Sequence, residues 1–328
     1  MKKIVVTGYR TTGKLHLGNL LGNMLNMLDL QEKYKCFFFF ANLHALTTDY
    51  KDTSEIMNNV KIQIAEFLAL GINPDKSVLY LQSDIPEIAE LTVYFSMFTP
   101  ISRMERNPTY KEQLKELSNK NIKMMGFLGY PILMASDIII VHADFVPVGE
   151  DQLPHIEITR ELARKFNKLY GKYFKVPKAL IAKASRVPGI DGRKMSKSYG
   201  NAIYLSDEPD VIRKKVRMMI TDTERVYKTD KGHPEICDVF YLHKSFSKEE
   251  IGDIEKECKN ALIGCTQCKE NLTVKISNYL SDFREKRAAF LNDTDYLNTV
   301  LENGKNTVRE ITKETINQVR YRMKLISF

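Results

Sequence analysis

Residues 7–19 read TGYRTTGKLHLGN, and this stretch decides the fold. It follows a short apolar run, Ile4-Val5-Val6, predicted to be a buried strand. It precedes Leu20, Leu21, Met24, Leu25 and Leu28, whose spacing is helical. The stretch is therefore a strand-to-helix turn holding Gly8 and Gly13, with Gly18 just inside the helix. Such turns direct backbone N–H groups and a helix N-terminus toward an anionic group. Gly8, Gly13 and Lys14 match the start of a P-loop, G-x-x-x-x-G-K. The next residue of a P-loop must be Ser or Thr to hold Mg²⁺, and here it is Leu15. Leucine coordinates no metal, which weighs against a P-loop NTPase and its substrate-independent ATP hydrolysis.

The surrounding chain alternates strand and helix. Cys36-Phe37-Phe38-Phe39-Phe40 reads as a central parallel strand buried on both faces. It ends at Ala41-Asn42-Leu43-His44, where the ligand-facing residues of a doubly wound sheet belong. A helix opening at Thr53-Ser54 carries Ile64, Phe67 and Leu68 and stops at Gly71. Val78 to Leu81 is a third strand, and residues 87–97 are helical again. This order predicts an α/β fold, a doubly wound parallel sheet with right-handed crossovers, over residues 1–205. From Ser206 onward the pattern is helical, ending in a stripe of Val308, Ile311, Ile316, Val319 and Met323.

Composition sets broad limits. The chain has 328 residues, 43% of them hydrophobic, enough for one large domain and a smaller one. The longest apolar runs, residues 37–40 and 138–141, are strand-sized, so no membrane association is expected. The chain opens on a strand with no leader-like segment, which predicts a cytoplasmic protein. A net charge of +8 and a pI near 9.0 suit a polyanionic partner without identifying one.

Three further segments carry chemistry. In Tyr130-Pro131-Ile132-Leu133-Met134-Ala135-Ser136-Asp137, one acidic residue sits in an apolar helical run. Met134 and Asp137, three residues apart, share a face with Tyr130 and Leu133. A carboxylate in such company must find a donor. That donor is either a backbone N–H or lysine in the core, or a group on an aromatic ligand. Val146-Pro147-Val148 ends a strand and runs into Gly149-Glu150-Asp151-Gln152, a polar corner before another helix. Far downstream, Lys194-Met195-Ser196-Lys197-Ser198 lies between Gly192 and Gly200. Two mobile lysines in such a loop are suited to wrapping a polyphosphate.

His16-Leu17-Gly18-Asn19 resembles the HIGH signature of class I aminoacyl-tRNA synthetases, and residues 194–198 match that family's KMSKS loop. Between them, YPILMASDI, VPVGEDQ and the helix from His155 to Asn167 are similar to bacterial tryptophanyl-tRNA synthetases. The resemblance implies a Rossmann-like catalytic domain, residues 1–205, and a helical anticodon-binding domain, residues 206–328. It implies activation of L-tryptophan with ATP and Mg²⁺, then transfer to tRNA(Trp), by a homodimer. It implies catalytic roles for His16, Lys111, Lys194 and Lys197. ATP contacts would come from Arg10, Thr12, Gly18, Asn19, Gly149, Asp151, Met195 and Ser196 together with both lysines. Asp137 would accept the indole N–H. Val6, His44, Tyr130, Met134, Val146, Val148 and Gln152 would complete the tryptophan site. Two positions depart from the family pattern: Val6 replaces a frequent aromatic, and Arg10-Thr11 replaces Gln-Pro. Two alternatives are a tyrosyl enzyme, which would have to recognise a phenol O–H, and a tryptophan-sensing RNA-binding paralogue that charges nothing.

Of five cysteines, Cys36 reads as inert core. Cys237, Cys258, Cys265 and Cys268 form C-x20-C-x6-C-x2-C, a spacing able to close a four-thiolate site for iron–sulfur or zinc. A subset of tryptophanyl-tRNA synthetases has nearly the same spacing and binds a [4Fe–4S] cluster, so the resemblance favours iron–sulfur, with Zn²⁺ as the alternative.

Overall fold

The computed structural model describes residues 2–11, 13–116, 122–181 and 186–326. Contacts divide the chain into two compact units, each discontinuous in sequence. One comprises residues 1–13, 27–183 and 291–328; the other comprises residues 14–26 and 184–290.

The first unit is built on five strands: β1 (Ile4–Arg10), β2 (Lys35–Ala41), β3 (Ser77–Leu81), β4 (Phe145–Val148) and β5 (Lys178–Ile181). Their order is β3-β2-β1-β4-β5, and every pair is parallel. The chain leaves β1 to one side for β2 and returns to its other side with β4. The carboxyl ends of β1 and β4 therefore flank the switch point, where open α/β sheets bind ligands. The phenylalanine run of β2 is buried on both faces, as a central parallel strand requires.

One face of this sheet is covered by helices Pro86–Met97, Met125–Ile139 and Leu153–Tyr170. The last helix, Thr294–Arg322, joins the same core through Val308, Ile316 and Val319. That helix runs against β3 at Gly304, where an added Cβ would stand 1.7 Å from the Leu79 carbonyl oxygen. Arg309 pairs with Glu87 at 3.2 Å, and Arg320 chelates Glu90 through both guanidinium edges. The basic residues beside the apolar stripe thus dock the helix as well as solvating it.

The second unit is mainly helical. Residues Leu17–Asn19 make one α-turn, continued by a π-helical segment, Leu20–Met24. The helix expected to run on from Leu20 is therefore widened there by a π-turn, a distortion frequent at functional sites. Helix Pro209–Met218 packs against helix Cys265–Tyr279, which also meets helix Asp238–Phe246. Their core includes Ile212, Val216, Val239, Leu242, Leu272 and Ile276.

The helix expected at Thr53-Ser54 begins at Ile56 instead. Asp52 accepts from both the backbone N–H and the hydroxyl of Ser54, and this local turn delays helix formation.

Gly304→Ala should destabilise the protein by roughly 1–3 kcal/mol, the usual range for overpacking, because the obstacle is backbone rather than a flexible side chain. Thermal melting checks this, and an unchanged midpoint would show that the helix can move away from β3.

Candidate functional site

In the first unit, polar side chains gather at the carboxyl ends of the strands. Asp137, on helix Met125–Ile139, is fully buried. Gln82, immediately after β3, is fully buried too and donates its amide Nε2 to Asp137 Oδ1 and Oδ2, both at 2.9 Å. The same nitrogen lies 2.9 Å from Nδ1 of His44, and the Gln82 carbonyl accepts the backbone N–H of Leu43 at 3.2 Å and of His44 at 3.3 Å. Burial pushes the His44 imidazole down to about 4, so the ring is neutral. Burial raises the Asp137 carboxyl well above its ordinary range, with the Gln82 amide opposing that rise.

Tyr130 lies two turns earlier on the same helix and bonds His155 Nε2 at 2.6 Å. His155 is 1% exposed, is held neutral by burial with its value pushed down to about 4, and its Nδ1 meets no protein partner among the described residues. Burial raises the Tyr130 phenol, and the Arg10 charge partly offsets this. Arg10 ends β1, bonds the Thr48 hydroxyl and lies 3.8 Å from Asp49. Gln63 donates to the carbonyls of Arg10 at 2.9 Å and Gly13 at 3.3 Å, anchoring the loop that follows β1. Val6, Val146 and Val148 are buried in the strands, and Met134 is partly buried against the same core. At the β4 corner, Gln152 donates to Asp151 at 2.9 Å. An added Cβ on Gly149 would meet Asp151 Oδ1 at 2.6 Å, so the carboxylate folds over that glycine. Lys111 is exposed on helix Pro108–Glu116. Thr12 lies outside the described residues.

The second unit brings the two signature motifs together. His16 caps its α-turn: Asn19 N–H donates to His16 Nδ1 at 3.3 Å, and Asn19 Oδ1 accepts from His16 N–H at 3.0 Å. The Nδ1 lone pair is thus engaged, leaving the ring proton on Nε2. Burial and then the nearby Lys197 charge push the imidazole down to about 4. An added Cβ on Gly18 would stand 2.9 Å from the His16 ring and 3.4 Å from Cβ of Met195. Any larger residue would wedge the motifs apart. Backbone bonds from Leu17 to Ile203 at 2.9 Å and from Leu205 to Leu15 at 3.0 Å complete the seam.

Asn201 shapes the lysine loop. Its Oδ1 accepts from Ser196 N–H at 2.8 Å, while Nδ2 donates to Asp191 at 2.7 Å and to the Lys194 carbonyl at 3.2 Å. Met195 is buried beneath the loop, Lys194 is exposed and Lys197 is half-buried. Gln82 and Asn201 fall outside the quoted motifs, and His155 is quoted without a role. Only Gln82 leaves a legible trace, a polar residue directly after an apolar strand.

The four downstream cysteines line one cavity together with Asp222, Arg225 and Phe240. Burial raises the Cys237, Cys258 and Cys268 thiols, and burial and then the neighbouring sulfurs take Cys268 up to about 12. Among the described residues no group of three or more His, Cys, Asp and Glu side chains stands at metal-holding geometry. The four cysteines of the expected site thus share one cavity without standing as a closed four-thiolate group.

Three histidines, His16, His44 and His155, are held neutral well below their ordinary value of 6.5. Between pH 6.5 and about 4 the unfolded chain binds protons that these folded side chains refuse. Their stabilising contribution is thus whole above 6.5 and is lost as pH falls through that window. A His16→Gln variant should flatten that fall by up to about 1.4 kcal/mol per pH unit, one proton's worth. Melting curves across the window test this, and equal slopes would contradict it.

Comparison with known proteins agrees with this geometry. Residues 2–281 match the family described as tRNA synthetases class I (W and Y). A tryptophan–tRNA ligase of Thermotoga maritima is 43% identical, covering 98% of this chain and 99% of the relative. One from Aquifex aeolicus is 40% identical over 98% and 99% of the two chains. The structure of tryptophanyl-tRNA synthetase from Campylobacter jejuni, complexed with ADP and tryptophan, superposes with a TM-score of 0.90 at 34% identity, covering 98% of this chain and 99% of that one. The chain belongs to the tryptophan–tRNA ligases, class I aminoacyl-tRNA synthetases that join tryptophan to its tRNA using ATP.

Proposed function

We propose the following division of labour among the residues. His16 Nε2–H and the Asn19 amide address the ATP phosphates, and Gly18 lets the adenine approach the backbone. Lys194 and Lys197 follow the pyrophosphate as it leaves. The tryptophan carboxylate attacks the α-phosphorus in line; the C–O–P linkage of the adenylate forms as the bond to pyrophosphate breaks. No side-chain nucleophile is needed, so catalysis is positioning plus stabilisation of charge on the phosphates. Mg²⁺ arrives with ATP. The observation that carries this reading is the packing of Gly18 against Met195 beside His16, with Lys197 close enough to depress that imidazole.

Asp137 receives the indole N–H. Tyr130 and Gln152 hold the substrate's amino end, with Val6, Met134, Val146, Val148 and His44 as walls. Arg10, Thr12, Gly149, Asp151, Met195 and Ser196 complete the ATP contacts, and Lys111 is a further phosphate ligand. Residues 206–328 read the anticodon, in a cytoplasmic homodimer. A buried aspartate that bonds a donor can separate an indole from a ligand lacking one by as much as 10⁴–10⁵-fold.

Cys237, Cys258, Cys265 and Cys268 hold a [4Fe–4S] cluster. The donor set fits, because four thiols line one cavity, and an added Cβ on Gly232 would stand 2.4 Å from Cys258 Sγ. Closure requires the sulfurs to be deprotonated and drawn inward. The cluster would supply a fixed cross-link within the helical unit, outside the chemistry of activation.

Tryptophan-dependent ATP–pyrophosphate exchange, run across the twenty amino acids, tests the assignment. Lys197→Ala should slow exchange by on the order of 10²–10³-fold, as for other donors to a developing anion, while tryptophan binding survives. Unchanged exchange would remove Lys197 from the mechanism. Anaerobically purified protein should absorb broadly in the visible; a colourless protein with stoichiometric zinc would replace iron–sulfur by the alternative.

A further inference from the structure

Gln82 stands in none of the motifs, yet its amide bonds Asp137, the His44 ring and the backbone of residues 43 and 44. We propose that Gln82 is a specificity-determining positioning residue: it presents the Asp137 carboxylate as an acceptor for the substrate's indole N–H and fixes His44 as its Nε2–H tautomer. This rests on the assignment of Asp137 to the indole.

The two ends of the amide cannot be exchanged. Its oxygen faces the backbone N–H groups of Leu43 and His44, which only donate. Its nitrogen must therefore face Asp137, 2.9 Å from each carboxylate oxygen and 2.9 Å from His44 Nδ1. The amide has two hydrogens, one shared between the carboxylate oxygens and one directed to the His44 lone pair. His44 Nδ1 lies nearer the amide nitrogen, at 2.9 Å, than the amide oxygen, at 3.3 Å, which places the ring proton on Nε2. Among the described residues nothing else within hydrogen-bonding distance donates to Asp137; His44 Nδ1 is 3.8 Å away. A neutral donor leaves most of the carboxylate's acceptor capacity open, whereas a lysine or arginine would occupy it.

Without Gln82, no other hydrogen bond from the described residues holds the carboxylate's orientation. A protonated Asp137 could then turn its O–H toward the ligand N–H, setting donor against donor. Gln82 and Asp137 are both fully buried, so losing the amide also leaves the desolvation of the carboxylate uncompensated by the protein.

The test is ATP–pyrophosphate exchange by the full chain, with L-tryptophan and with its analogue in which sulfur replaces the indole N–H. Gln82→Met keeps the length of the side chain and removes its donors; Gln82→Asn keeps the amide but withdraws it by one methylene. Asp137→Asn and the double variant complete a cycle. Each Gln82 variant should raise KM for tryptophan by roughly 10–100-fold and reduce the preference for tryptophan over the sulfur analogue by about the same factor. KM for ATP and kcat should stay within about threefold, since the altered contact is one of recognition. In the Asp137→Asn background, the Gln82 change should have no further effect on the preference. A purely structural role would lower stability and leave the preference intact, so melting midpoints are read alongside. Loss of preference in Asp137→Asn but not in either Gln82 variant overturns the inference. Retention of preference in Asp137→Asn overturns the Asp137 assignment itself.

Discussion

A carboxylate with no exposed surface sets the terms for the first unit. Asp137 lies on a helix whose neighbouring side chains are apolar, and its charge can persist only if a donor is supplied. That donor comes from the far end of β3, so the position of Gln82 relative to the helix Met125–Ile139 must be held to within a hydrogen bond's tolerance. Much of the surrounding architecture serves that requirement. Asn42 and Ser83 exchange two hydrogen bonds, at 2.7 and 3.0 Å, across the ends of β2 and β3. The final helix presses on β3 itself, with Gly304 admitting the closest approach.

The second unit solves a different problem with similar means. A loop bearing two lysines must keep its shape while its charges remain near solvent. Asn201 is the buried amide here, as Gln82 is in the first unit. In both, a backbone N–H claims the oxygen and a carboxylate claims the nitrogen, so the orientation of the amide is fixed by chemistry. The unit thus keeps Met195 inside while Lys194 stays in solvent.

Much of this was legible in the residues. The strand-to-helix turn, the phenylalanine strand and the alternation of elements gave the parallel sheet, because period and turn chemistry are local properties. Asp137 was legible because a lone acid in an apolar helix has few explanations. Gln82, His155 and Asn201 were not, since a polar residue's value depends on what the fold brings opposite it. Nor could spacing reveal the π-turn at Leu20–Met24, whose apolar positions fit an ordinary helix equally well. Four of the cysteines were legible as a group, but their spacing does not state how closely the sulfurs approach within the cavity they line.

The division of the chain also bears on how it is made. Residues 14–26, which carry the HLGN turn, are made well before residues 184–290, with which they belong. Residues 291–328, which complete the sheet-bearing unit, are made after both. Neither unit can close on a contiguous nascent segment. Loop-closure entropy must be met over long chain separations before native contacts reward it, which slows folding. The HLGN turn therefore spends much of the synthesis time without residues 184–290, and late-arriving segments set the pace of maturation for both units.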